Sequence, residues 1–409
     1  MKKSYIILAS FFTSCLIFFI FNIFNNNNNK EVYMTNLSNK SIDEIREYSS
    51  FNGLELEIIE EYSDNVEKGK IISQSILENE VIKYGDKLTV LMSLGKINKD
   101  IYKEYKVNEL GNVPIMMYHG IHNIEENSYI GGNVDKDGYQ RTANAFRRDL
   151  EFYYNNGYRM ISLSDYIDGK IDVQLGKSPI VITFDDGLAN NVLVSGLDDD
   201  GNIIIDPNSA VGILESFKEK YPDFNVTATF FLNAGLFNQP EYNEKIIKWL
   251  IDNGYSIGNH SYSHVDFSNT DKSKTMLEIG SMYNILERII PGRYEKIVAL
   301  PFGSPYVESA ESFSYILNGT YQDVNYETLS TLRVGWESEL SPFNKYFNKK
   351  FLKRIRAYDN NGVEFDIEMN FKILENNKYI SDGNVDKIVI PEEKREYVLN
   401  ENGYELITY

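Results

Sequence analysis

The 409-residue sequence predicts an α/β fold built on a parallel sheet or barrel, preceded by a membrane-spanning helix and a small α+β unit. Three observations carry this. Strand-like and helix-like segments alternate from residue 113 to residue 300, the pattern of parallel strands joined by crossover helices. Residues 5–24 form an almost unbroken apolar run, long enough to cross the hydrocarbon core as a helix. Around residues 54–58 and 88–92, apolar and polar side chains alternate as in a half-buried sheet.

The length suggests two or three domains with room for one large core. A net charge of −19 without any basic stripe excludes nucleic acid as a partner. The single cysteine, Cys15, excludes a disulfide framework.

Taken in order, residues 1–30 begin with Lys2 and Lys3 ahead of the apolar run. Those lysines stay cytoplasmic and place the bulk of the chain outside the cell membrane. No small-x-small site closes the run, which is longer than the apolar region of a signal peptide. An uncleaved single-pass anchor is therefore expected, with residues 25–30 as a tether. Residues 31–95 read as one small domain. Ser41-Ile-Asp-Glu44 is a capping box, Ile42 and Ile45 share a helical face, and Gly53 suits the position after the helix. Residues 96–111 are charged, lack periodicity and read as a linker.

Residues 112–356 hold the alternating region. Strands are predicted at 113–117, 158–161, 180–184, 226–232, 255–258 and 296–300, and helices at 143–156, 210–220, 242–253 and 271–290. The first helix places Phe146, Leu150 and Tyr153 on one face. Residues 191–208 look like an insertion. Its Asp198-Asp-Asp-Gly201 has the wrong ligand spacing for a calcium loop and favours a hairpin. Residues 357–409 read as a β-rich extension, with strands at 363–367, 371–373, 387–390 and 404–408.

The chemistry gathers past the strand ends. Strand 180–184 stops at Asp185-Asp186-Gly187, and adjacent acids repel unless something cationic sits there. His260-Ser-Tyr-Ser-His264 follows strand 255–258 and contains two of the four histidines in the chain. One aspartate with two histidines suits a divalent ion of the zinc type with a position open to water. The turn Pro301-Phe302-Gly303 closes a third strand, and in (β/α) barrels chemistry lies at such C-terminal ends.

These residues carry a resemblance. Thr183-Phe-Asp-Asp-Gly187, His260-Ser-Tyr-Ser-His264, the approach Pro114-Ile-Met-Met-Tyr-His119 and the run from Phe146 to Gly157-Tyr-Arg-Met-Ile-Ser-Leu163 are similar to the polysaccharide deacetylases, the NodB-homology carbohydrate esterases. The resemblance implies a distorted (β/α) barrel with fewer than eight complete repeats. It implies Asp185 as catalytic base, Asp186, His260 and His264 as ligands of one divalent ion (zinc by preference), and the Phe302 N–H as oxyanion donor. His119 is expected as a hydrogen-bonded wall of the pocket, and Pro301 and Trp336 at the substrate. Trp336 reads equally as a sugar-stacking or a buried aromatic. Residues 31–95 resemble a PASTA domain through the helix 41–51, Gly53-Leu54, Val66-Glu-Lys-Gly69-Lys-Ile-Ile-Ser-Gln74 and Gly85-Asp-Lys-Leu-Thr-Val-Leu-Met-Ser93. That resemblance implies association with peptidoglycan outside the membrane, or a spacer that binds nothing.

Two departures stand out. Ala299 occupies the place of the family's base-orienting arginine, for which Arg333 or another arginine must substitute. No histidine follows His264, so the family's usual general acid is missing. Asp185 is then expected to act as both base and acid, with His119 and His122 as the alternatives. The expected function is a metal-dependent N-deacetylase of a polysaccharide, peptidoglycan by preference. The competing readings are a non-catalytic wall-binding protein that keeps the metal site, and an amidohydrolase acting on another acylated substrate.

Overall fold

In the computed structural model, which describes residues 31–126, 128, 132–399 and 403–409, the chain divides into two units between Ile101 and Tyr102. The apolar run at residues 5–24 lies outside the described residues. Among the described residues, no helix is long and apolar enough to cross a membrane.

The first unit has helix α1 (Ile42–Asn52) and strands β1 (Glu55–Glu61), β2 (Ile71–Gln74) and β3 (Lys87–Ser93). Ser41 caps α1: its side chain accepts from the Glu44 N–H, and the Glu44 carboxylate accepts from the Ser41 N–H at 2.7 Å. Central β3 pairs in parallel with β1 and antiparallel with β2. Ile45 of α1 closes a core with Leu37, Leu88 and Val90. A core this small is marginal by size.

The second unit is built on a curled parallel sheet. Its strands in chain order are β4 (Ile115–Tyr118), β5 (Tyr158–Met160), β6 (Ser178–Phe184), β7 (Thr229–Leu232), β8 (Ser256–Asn259), β9 (Ile297–Ala299), β10 (Ser330–Leu332) and β11 (Ile355–Arg356). Across the sheet the order is β10-β9-β8-β7-β6-β4-β11, with β5 paired to the start of β6. Helices α2 (Ala143–Asn155), α3 (Ala210–Lys220), α4 (Asn243–Asp252) and α5 (Lys272–Ile289) lie between strands. Residues 350–356 bridge the two edges of the curl. Leu352 pairs with Leu332 beside β10, and four residues later Arg356 pairs with Met117 of β4.

Both faces of the strands are buried, which is why β6 reads as a continuous apolar run instead of an alternating one. Ile180, Ile182 and Phe184 pack outward against Phe146 and Leu150 of α2 and Leu214 of α3. Val181 points inward and meets Phe231, Ala299, Leu332 and Leu352.

Two stretches differ from the sequence expectation. The segment at 96–111, expected as an aperiodic linker, holds the boundary between the two units but contains a helix, Lys99–Tyr105, and buries Tyr102, Val107 and Leu110. Beyond residue 356, the expected strands at 363–367 and 371–373 are replaced by helix α6 (Ile367–Leu374), capped by the Asp366 side chain accepting from the Met369 N–H at 2.8 Å. Ile367, Phe371 and Leu374 recur at helical spacing and fill the outer core. Strands β12 (Lys387–Ile390) and β13 (Glu405–Thr408) do form, pairing in parallel, and Ile388 and Ile390 enter the inner core. Within 191–208 a hairpin is present, Val194–Leu197 against Ile203–Ile205. Its Asp198 carboxylate accepts from the N–H groups of Asp200 and Asn202 at 3.0 and 2.8 Å, so the turn consumes the oxygens a calcium ion would need.

Candidate metal centre

Asp185 extends β6 by one residue, its N–H donating to the Tyr118 carbonyl at 2.9 Å. The chain then turns: Asp186 has φ +72° and Gly187 φ +60°. A Cβ at Gly187 would meet the Leu236 carbonyl oxygen at 2.1 Å, so glycine is required there. The turn sends the two carboxylates in different directions.

The Asp186 carboxylate faces the second motif, which follows β8. His260 is 2 % exposed, and its Nδ1–H donates to the Ala299 carbonyl at 2.8 Å, leaving Nε2 as the lone-pair atom. His260 Nε2 and His264 Nε2 lie 3.2 and 3.3 Å from the same oxygen, Asp186 Oδ1. The three ligand atoms lie within 4.8 Å of one another. Two atoms at Zn–N or Zn–O distances of about 2.0–2.1 Å on a tetrahedral ion stand roughly 3.3 Å apart, so the spacing fits a zinc-type ion.

The loop carrying His264 is strained and braced. Ser261 and His264 have φ of +60° and +55°. Asn259 accepts from the Ser261 N–H at 2.9 Å and donates to the Ile279 carbonyl. Glu278 of α5, fully buried, accepts from the Ser263 N–H and hydroxyl at 2.7 and 2.6 Å and pairs with Lys274 at 2.6 Å. Sequence reasoning did not single out Glu278; the signal was an acid among the apolar positions of a long amphipathic helix.

Asp185 turns toward Arg354. The guanidinium donates to both carboxylate oxygens, at 2.8 and 2.6 Å, and both side chains are buried to 1 % or less exposure. Burial alone would raise the Asp185 pKa, but the guanidinium and then His260 more than reverse this, holding it well below the usual carboxylate range. Arg354 therefore fills the place left by Ala299. Arg333 does not: it stacks on Phe351 at 4.9 Å and offers only its carbonyl, which accepts from Arg354 Nε at 2.9 Å. The sequence signal for Arg354 was faint. Leu352 faces the inner core and Ile355 the outer one, so alternation points Arg354 inward.

One cavity holds His119, Tyr139, Gln140, Asp185, Asp186, His260, His264, Leu300, Phe302 and Val334. His119 is buried with Nε2 4.0 Å from Asp185, too far for a hydrogen bond, and its Nδ1 has no partner among the described residues. It is a wall of the pocket, without the hydrogen bond expected of it. His122 is not in the cavity and bonds to Gln140 and Asn190. Phe302 has φ +58° and its ring stands edge-on to His264 at 4.6 Å. Pro301 is buried beneath it, outside the cavity lining. Trp336 also lies outside the lining, half-exposed, with the Arg356 guanidinium 4.6 Å over its ring. Four non-glycine residues with positive φ (Asp186, Ser261, His264 and Phe302) thus belong to this one site, and strain of that kind persists where the surroundings enforce it.

Comparison with known proteins follows the same division. Residues 172–315 match the polysaccharide deacetylase family and residues 32–94 the PASTA domain. No curated protein matches the chain. Among solved structures, the Streptococcus pyogenes deacetylase PplD in complex with acetate aligns at 16% identity and a TM-score of 0.45, over 64% of this chain and 98% of that one. A de-N-acetylase from Aggregatibacter actinomycetemcomitans aligns at 13% identity and 0.42, over 64% and 99%. The peptidoglycan deacetylase PdaC from Bacillus subtilis aligns at 27% identity and 0.22, over 31% and 50%.

Proposed function

From a chain that carries a polysaccharide deacetylase domain at residues 172–315 and a PASTA domain at residues 32–94, we propose a metal-dependent hydrolase that removes N-acetyl groups from peptidoglycan. The observation that carries the reading is the pairing of an Asp186–His260–His264 ligand set with a second, arginine-held carboxylate, Asp185, in one cavity. The PASTA domain supports peptidoglycan as the polysaccharide. The apolar run at residues 5–24 behind Lys2 and Lys3 supports a membrane anchor with the bulk of the chain outside the cell.

Asp186, His260 and His264 would hold the ion, which when bound supplies a nucleophilic water near neutral pH and polarises the acetamide carbonyl. Arg354 fixes the Asp185 carboxylate by two hydrogen bonds, so that it meets the attacking water in one orientation. Asp185 takes the proton. Held well below the usual range, it keeps that proton weakly and hands it to the departing amine. Burial lowers the His119 pKa despite the nearby aspartates, so His119 is uncharged near neutrality and has no proton to spare as an acid. The Phe302 N–H, on a backbone turned by its positive φ, is the main-chain donor for the developing oxyanion.

The test is acetate release from purified peptidoglycan and from a chitin oligomer. Release is expected from peptidoglycan, and glycan binding without release from any N-acetylated glycan would make the chain a wall-binding protein. His119→Ala should lower kcat/KM by less than about tenfold; a loss of roughly 10²–10⁴-fold with the alkaline limb removed would make His119 the acid.

A further inference from the structure

Arg356 stands two residues beyond Arg354 on β11. Ile355 and Ala357 are buried in the outer, helix-covered core, so Arg354, Arg356 and Tyr358 share the inner side. Arg354 is consumed by Asp185. Arg356 has no such partner: it forms no ion pair among the described residues, and its Nε is buried without a hydrogen-bond partner. Asp359, three residues further on, and Asp135 pair with Arg141, and Glu337, next to Trp336, pairs with Lys353.

Instead of an acid, two rings hold it. The guanidinium carbon lies 4.6 Å from the centre of the Trp336 ring and 5.2 Å from that of Tyr358. Stacking fixes the plane of a guanidinium by cation–π attraction and leaves its edge, with paired N–H donors, available to a planar anion. Trp336 is 51% exposed, so the group is reachable.

The placement ties this group to the candidate metal centre. Val334 lines the cavity with Asp185. A Cβ at Gly335 would meet the Arg354 carbonyl oxygen at 1.7 Å, so Gly335 lies directly on the Arg354 backbone. Trp336 and Arg356 are thus each two residues beyond a residue of the site.

We propose that Arg356, clamped by Trp336 and Tyr358, is a carboxylate-recognising subsite, and that the N-acetylated glycan bears a carboxylate near the acetamide to be cleaved. The proposal rests on the deacetylase reading above. The carboxylate has two possible sources, an acid group on the sugar itself or one on a peptide attached to the glycan.

The experiment measures kcat/KM for acetate release on three substrates: a neutral chitin oligomer, glycan strands freed of peptide so that the sugar acid is bare, and peptide-bearing strands. Wild type, Arg356→Gln and Arg356→Lys are compared, each checked for an unchanged melting temperature. Arg356→Gln should lower the acidic-to-neutral ratio roughly tenfold or more, the usual weight of a charge-assisted hydrogen bond. Arg356→Lys should restore part of it. The acidic substrate that suffers the loss identifies the source. An acidic-to-neutral ratio unchanged by Arg356→Gln on both acidic substrates, including equal losses on all three, overturns the subsite and leaves Arg356 a packing residue. If wild type releases acetate from none of them, the deacetylase reading fails. Equilibrium binding of the same oligomers then judges the subsite alone, by the same ratio in wild type and Arg356→Gln.

Discussion

Asp185 and Asp186 are neighbours in the chain and lie in opposite electrostatic surroundings. On one side Asp185 is sealed from water and bound by both oxygens to Arg354. On the other, Asp186 is partly exposed and faces two imidazole nitrogens through a single oxygen. The Asp185 carboxyl is held below its ordinary pKa against the effect of burial, chiefly by the permanent cation of Arg354. The difference teaches how one dipeptide can serve two chemical roles. A carboxylate whose oxygens are both held by arginine is a poor additional metal ligand but a well-oriented proton acceptor. A carboxylate facing two imidazole lone pairs is the reverse. The positive φ at Asp186 and the glycine after it are the backbone device that separates them.

The largest expected effect breaks the comparison on the arginine side. Asp185→Asn should cost roughly 10²–10⁴-fold in kcat, measured as acetate release, without loss of fold. Arg354→Ala should cost about 3–5 kcal/mol in chemical denaturation, because it leaves a buried carboxylate unpaired. The same pair sets a pH dependence. The folded pKa of Asp185 lies below its unfolded value of about 3.9, so its stabilisation is complete above that value. It fades as pH falls toward the folded pKa. Arg354→Ala should flatten that acid-side slope.

A smaller effect sharpens the histidine side. Glu278 touches no ligand atom, yet it holds the strained loop between His260 and His264 through Ser263. Glu278→Gln should weaken divalent-metal affinity about 10–100-fold, read by competition with a chelator. Smallest of all, Phe302→Ala should change kcat/KM by no more than about threefold, since the ring is 56% exposed and the proposed donor is the main-chain N–H.

The two sides also differ in how much of them sequence reveals. The histidine side is local: Asp186 follows the end of β6, and His260 and His264 both follow the end of β8, so motif and alternation together place all three candidates. The arginine side is not. Arg354 sits in a lysine-rich stretch, Lys349-Lys-Phe-Leu-Lys-Arg354, and meets Asp185 only because residues 350–356 bridge the two edges of a curled sheet. Sheet closure is a long-range event that periodicity does not encode. Helix α6 was illegible for another reason. Val363, Phe365 and Ile367 alternate like a strand, and only burial of Ile367, Phe371 and Leu374 against the outer core decides for a helix.

Divalent-metal content per chain, measured on purified wild type, Asp185→Asn and Asp186→Ala, tests the division of labour most directly. The account predicts one ion in wild type and in Asp185→Asn, and none retained by Asp186→Ala. Loss of the ion from Asp185→Asn, or its full retention in Asp186→Ala, would contradict it.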